Sequence, residues 1–191
     1  MSLSAPDLAG YVDRGLDADL ARWFPDAPRV DLPADTRPVE PFLARLPPAA
    51  ATALAALDRR ARSGALAQFL DMYDWSYAFD FAENDCQVLD SDYETELDPD
   101  DVWAVGCDGS GNYHVVLTDG RVALWSHEEE VVEESTRYDS LDVFVWSVVR
   151  YQAVRAGVLD LAEVEADFRS LGQDGVLEPN LGLLAELKSR G

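Results

Sequence analysis

Across 191 residues there are only two cysteines and two histidines. So few cysteines argue against the dense disulfide framework of a small secreted scaffold. Cys86 and Cys107 stand far apart, and no C-x-x-C or H-x-x-x-H pair is present, so the ligand spacing of a structural zinc site is missing. No apolar stretch approaches the length needed to cross a bilayer. The first ten residues carry one charge, Asp7, and lack the basic start and apolar run of a secretory leader, so the expected location is cytoplasmic. The phosphate-binding P-loop, the Rossmann glycine fingerprint and the G-x-S-x-G nucleophile elbow are all missing. Basic residues are scarce too. Lys and Arg total 15 against 37 acids, a formal net charge of −22, and none occurs between Arg62 and Arg121.

That cation-free interval holds fourteen acids: Asp71, Asp74, Asp80, Glu83, Asp85, Asp90, Asp92, Glu94, Glu96, Asp98, Asp100, Asp101, Asp108 and Asp119. A second group follows at Glu128, Glu129, Glu130, Glu133 and Glu134. Such a field repels nucleic acid and anionic membrane and attracts a basic protein. The expected partner-binding surface is therefore Asp90, Asp92, Glu94, Glu96, Asp98, Asp100 and Asp101 with Glu128, Glu129 and Glu130. Hydrophobic residues make up 48 % of the chain, enough to build a core and to argue against wholesale disorder.

The first third reads helical. Ser4 before Pro6 and Asp7 is a helix start, and Leu8, Tyr11, Val12, Leu16 and Leu20 recur at helical spacing. Four prolines between Pro25 and Pro38 interrupt it. Alanine and leucine then predict a helix over Ala49–Leu70, with a break at Gly64. The aromatics Tyr73, Trp75, Tyr77, Phe79 and Phe81 alternate at period two, which fits a strand or the end of the preceding helix. Residues 80–101 read as an acidic loop with at most one short strand. Val102–Gly106 reads as a buried strand, and Asp108–Asn112 as a turn.

Asp119-Gly120 between two β-prone runs predicts a two-residue hairpin turn over 113–126. In that register Val116 pairs with Ala123 and His114 with Trp125. Tyr113, Val115, Leu117, Val122 and Leu124 then form the core face, with His114, Trp125 and His127 on the other. Trp125 and nearby Trp103 become candidate exposed anchors for a partner. The acidic stretch after the hairpin reads as a link. Asp139 or Ser140 caps a helix to about Ala156, Asp160 with Glu163 opens another ending at Gly172, and Leu181–Lys188 forms the last. The expected fold is α+β: a central antiparallel or mixed sheet packed by helices from the N-terminal third and the C-terminal end. The expected organisation is a single domain, mostly helical over 1–70, sheet over 71–134 and helical over 139–191.

The turn Asp108-Gly109-Ser110-Gly111-Asn112-Tyr113, the strand Gly120-Arg121-Val122-Ala123-Leu124-Trp125-Ser126-His127-Glu128 and the helix lead-in Tyr138-Asp139-Ser140-Leu141 occur in that order. Together they resemble the SUKH superfamily of cell-wall-assembly regulators and toxin-immunity proteins, over about a quarter of the chain. The resemblance marks Asp108, Gly109, Gly111, Asn112, Tyr113, Trp125 and His127 as the motif turn and hairpin. It implies an α+β fold and a role in binding a partner protein, foremost immunity against a basic toxin such as a nuclease. A housekeeping regulatory module of the same superfamily is the alternative. From a different class comes a hydrolase or metal-dependent enzyme with an acidic site. Asp108, Ser110 and Asn112 match the first calcium-loop positions, but position six is Tyr113 and position twelve is Asp119, so the count fails. The reading is of a chain without catalytic residues, metal or cofactor.

Overall fold

The computed structural model describes residues 2–83 and 98–189. The expected sites at Asp90, Asp92, Glu94 and Glu96, together with Cys86, lie outside the described residues. The fold is α+β, as the sequence pattern predicts.

Strands β1 (Val102–Cys107), β2 (Tyr113–Leu117), β3 (Val122–Ser126) and β4 (Val131–Tyr138) form an antiparallel sheet in the order β1-β2-β3-β4. β4 was not expected, because its Glu133, Glu134, Ser135 and Thr136 make the segment read as a polar link. It pairs with β3 through Leu124↔Glu133, Trp125↔Val132 and Ser126↔Val131, and again at Val122↔Tyr138 after a register shift. Among its described side chains, Val131, Val132, Thr136 and Tyr138 are buried. An edge strand needs no more apolar residues than that.

The hairpin forms one residue out of the expected register. Tyr113 pairs with Trp125, His114 with Leu124, Val115 with Ala123 and Val116 with Val122. Gly120 N donates to Leu117 O (2.8 Å) and Leu117 N to Arg121 O (2.9 Å), enclosing a three-residue loop instead of two. Gly120 has φ 89°, and a Cβ there would lie 2.9 Å from the Ala50 Cβ. This is a turn closed by a left-handed glycine. The Asp119 carboxylate accepts from Arg121 N (2.9 Å) and Arg121 Nε (2.8 Å), holding the loop. Because strand side chains alternate, the one-residue slip exchanges the faces of β3 relative to β2. Tyr113, Val115, Leu117, Ala123 and Trp125 share one face, and His114, Val116 and Val122 the other.

Both faces are covered. On one, Val102, Ala104, Val115, Leu117, Ala123, Trp125 and Val132 cluster with Phe81. On the other, Trp103, Val105, Val116, Val122 and Tyr138 join the helical core. The expected exposed anchors, Trp125 and Trp103, are therefore both buried.

Eight helices account for the rest among the described residues. α1 (Tyr11–Arg14) and α2 (Leu16–Trp23) follow a 3-10 turn at Ala5–Leu8, so the single early helix of the sequence reading is divided. α3 (Glu40–Leu43) precedes α4 (Pro48–Arg62), which stops short of Leu70 at a left-handed Gly64. α5 (Leu141–Arg155) is the central helix. Ser140 caps it by accepting from Val143 N (3.3 Å). Eleven of its fifteen residues are buried, so it is enclosed nearly all round and not along one stripe. Asp142, in its first turn, accepts from Gly10 N and Val12 N, both 2.8 Å, and so ties the N-terminal segment to the core. α6 (Leu161–Leu171) begins at the expected Asp160–Glu163 capping box. α7 (Asp174–Leu177) packs on β4 and α8 (Leu183–Ser189) on α5; α7 was not expected.

Candidate functional site

The glycine-rich turn joins β1 to β2, and its side chains are spent on one another. Asp108 Oδ1 accepts from Ser110 N (2.8 Å) and Asn112 N (3.2 Å), and Asn112 Nδ2 donates to Asp108 Oδ2 (2.8 Å). Burial works to raise the Asp108 pKa, but these bonds outweigh it and hold the carboxyl below its ordinary value. Asn112 Oδ1 accepts from His127 N (3.1 Å) and lies 2.9 Å from His127 Nδ1. The turn is thereby clasped to the end of β3. Gly111, at φ 103°, makes room: a Cβ there would come within 3.1 Å of His127 Nδ1. Asp108, Gly109, Gly111, Asn112, Tyr113, Trp125 and His127 do come together, as a structural clasp and not as a set of free ligands.

The two histidines do not share a face. His114 packs on Phe144 of α5, ring centroids 4.8 Å apart. Burial there pushes its pKa down to about 4, with only partial opposition from the Asp108 charge. Cys107 is buried and free, and burial pushes its thiol pKa up. Among the described residues no three His, Cys, Asp or Glu side chains converge as metal ligands. A cleft of about 390 Å³ on the helical side carries Asp17, Arg29 and Arg60. Arg60 is held by Asp17 and by the Asp13 and Ala56 carbonyls, and Arg29 by the Ala65 carbonyl.

The described members of the expected acidic surface fall into two places. Asp98, Asp100 and Asp101 precede β1. Asp98 accepts from Asp100 N (3.0 Å), and Asp101 accepts from Asp98 N (3.4 Å) and pairs with Arg45. The Asp98 and Asp101 carboxylates shape a 3-10 turn at Pro99–Asp101, and Asp100 is exposed. Glu128, Glu129 and Glu130 occupy the β3–β4 connection, all exposed. Because β1 starts where β3 starts and the two run in the same direction, the groups lie at opposite ends of the sheet. A five-residue strand separates them, about 17 Å. The two stretches do not form one surface.

The end bearing Glu128–Glu130 gains a feature that the sequence reading missed. Residues 71–78 flank the outer edge of β1 through bridges Asp71↔Cys107 and Tyr77↔Val105. They form turns there, neither strand nor helix. Buried Ser76 holds the loop: its Oγ accepts from Tyr73 N (2.9 Å) and donates to Asp71 O (3.0 Å). The alternating aromatics consequently divide. Tyr77 and Phe81 go inside, while Tyr73 (41 % exposed) and Trp75 (50 % exposed) face out. Their rings stack at 5.5 Å with an interplanar angle of 17°. Tyr113 Oη donates to the Trp75 carbonyl (3.4 Å), joining the loop to β2. Asp74 lies exposed between the two rings in sequence.

No described Lys or Arg forms an ion pair with Asp74, Glu128, Glu129 or Glu130. The ion pairs lie in the helical layer at Asp13, Asp17, Asp19, Asp58 and Glu165, at Arg37–Asp80, and at Arg45–Asp101 and Arg121–Asp119 by the opposite sheet end. Glu133 registers the uncompensated field: burial raises its pKa first, and the charges of Glu129 and Glu178 raise it further. Comparison with known proteins yields no matching family model, curated protein or solved structure.

Proposed function

We propose that this chain is a non-catalytic protein-binding module of SUKH type whose partner is a basic protein, foremost a toxin domain that it neutralises. The observation that carries the reading is the unneutralised acidic end of the sheet. Glu128, Glu129, Glu130 and Asp74 are exposed and without a described cation, at the same end of the sheet as an outward-facing aromatic pair. Carboxylates without a described cation at this end add to the field of a chain of net charge −22, and such a field speeds encounter with an oppositely charged protein. Exposed aromatics supply contact area once the partner has docked. The family resemblance supplies the immunity role, and the polar side chains of its motif turn are consumed in holding the hairpin.

The test is kinetic. A basic partner is captured with the full chain, and its association rate is followed by stopped flow at rising salt. The wild-type rate is expected to fall steeply, by roughly tenfold or more. A Glu128→Gln, Glu129→Gln, Glu130→Gln variant starts slower and loses most of that salt dependence. Equal rates at low and high salt would remove the steering role.

A further inference from the structure

The five tryptophans are treated unequally. Arg37 lies over Trp103 (4.6 Å to the ring centroid), Arg150 over Trp146 (3.9 Å), and Arg22 and Arg150 over Trp23 (5.6 and 5.0 Å). Trp125 is enclosed by Phe81 and Tyr113, with ring centroids 5.0 and 5.5 Å away. Trp75 is half exposed, and no described Arg or Lys sits over its ring. Trp103 lies in the same interval without Lys or Arg, yet the fold brings Arg37 over it; no described cation is brought over Trp75 in that way.

From this we infer that the Tyr73–Trp75 pair is a seat for an arginine side chain of the partner. The inference rests on the protein-binding reading and names the chemistry it recognises. A planar guanidinium stacks on an indole face, is weakly hydrated, and gives up less solvation than an ammonium on doing so. Tyr73 stacks on the Trp75 ring, and a ring already stacked has less side-chain freedom to lose on binding than an isolated one. Ser76 fixes the backbone that presents both rings. Asp74 lies beside them, and Glu128–Glu130 occupy the same end of the sheet, so the site combines ring faces with negative potential. The occupant that satisfies both is an arginine-bearing surface, preferred over a lysine-bearing one of equal charge.

Octa-arginine and octa-lysine, equal in charge, serve as probes of the intact chain at low and at physiological salt. Wild-type protein is expected to bind octa-arginine about tenfold more tightly than octa-lysine. Trp75→Ala should abolish the preference while leaving residual binding to both peptides, and Tyr73→Ala should reduce it. As a readout independent of any variant, the Trp75 indole N–H resonance of the wild-type chain should move on titration with octa-arginine while that of buried Trp103 stays in place. Equal affinity for the two peptides, a preference that survives Trp75→Ala, or an unmoved Trp75 resonance would overturn the arginine seat. Failure here is distinguishable from failure of the wider reading. If Glu128→Gln, Glu129→Gln, Glu130→Gln weakens both peptides while Trp75→Ala changes nothing, acidic steering stands and the arginine seat falls.

Discussion

At the residue scale, the hairpin shows how a side chain's surroundings decide its role. The sequence places Trp125 on a polar face, yet it lies 3 % exposed against Phe81, Tyr113 and Val132. Trp125→Ala is therefore expected to destabilise the fold by about 3–5 kcal/mol, read from urea denaturation, where a surface tryptophan would cost little. His114 gives a pH-dependent counterpart. Its folded pKa of about 4 lies below the ordinary 6.5, so the unfolded chain binds more protons between those values. Its stabilising contribution is complete above pH 6.5 and is lost as pH falls towards 4. His114→Gln should flatten the stability profile between pH 6.5 and 5 relative to wild type, a window above most carboxylate titration. An unchanged slope would mean that the imidazole is not held neutral against Phe144. Asp142 carries two backbone donors from the N-terminal segment. Asp142→Ala would leave the N–H groups of Gly10 and Val12 without their acceptor, at a cost of about 1–3 kcal/mol.

At the element scale, turn geometry set the sheet. Asp119-Gly120 announced a hairpin, and a hairpin is there, but the loop takes three residues and its glycine sits at the closing bulge. In the sequence Asp-Gly reads as a two-residue turn, whereas the same pair closes the three-residue loop that forms. The register was hidden because both sheet faces are buried, so alternation does not distinguish a core face from a solvent face. Gly120→Ala should destabilise the hairpin by about 1–2 kcal/mol, since it combines an unfavourable positive φ with an approach to Ala50. Helix ends were more legible. Ser140 and the Asp160–Glu163 box are caps in the structure as in the sequence, because a cap is a local hydrogen bond among neighbours. β4 was hidden because Glu133, Glu134, Ser135 and Thr136 interrupt its apolar residues, so the segment shows no strand alternation.

At the scale of the whole molecule, a net charge of −22 on 191 residues opposes compaction as well as attracting partners. Added salt screens surface charges beyond about 10 Å at 0.1 M. The melting temperature is accordingly expected to rise by several degrees from low to moderate salt in the absence of partner. A melting temperature independent of salt would show that this self-repulsion contributes little to stability. The candidate site was legible only in part. Charge clustering singled out Glu128, Glu129 and Glu130, which are exposed in the β3–β4 connection, whereas the Asp98 and Asp101 carboxylates shape a turn at the other sheet end. Tyr73 and Trp75 escaped because period-two aromatics read as a strand or the end of the preceding helix, and nothing in the spacing says that a buried Ser76 would hold a turn there.

Composition, caps and turn residues determined the α+β class, the dominance of acidic surface and the approximate places of the helices after the sheet. All of these follow from each residue's own chemistry and its near neighbours. The tertiary structure alone decided the hairpin register, the burial of Trp103 and Trp125, the separation of the described acidic groups to opposite ends of the sheet, and the outward stacking of Tyr73 on Trp75. Each depends on which distant segment covers a given face. The same side chain is core or contact surface according to that cover.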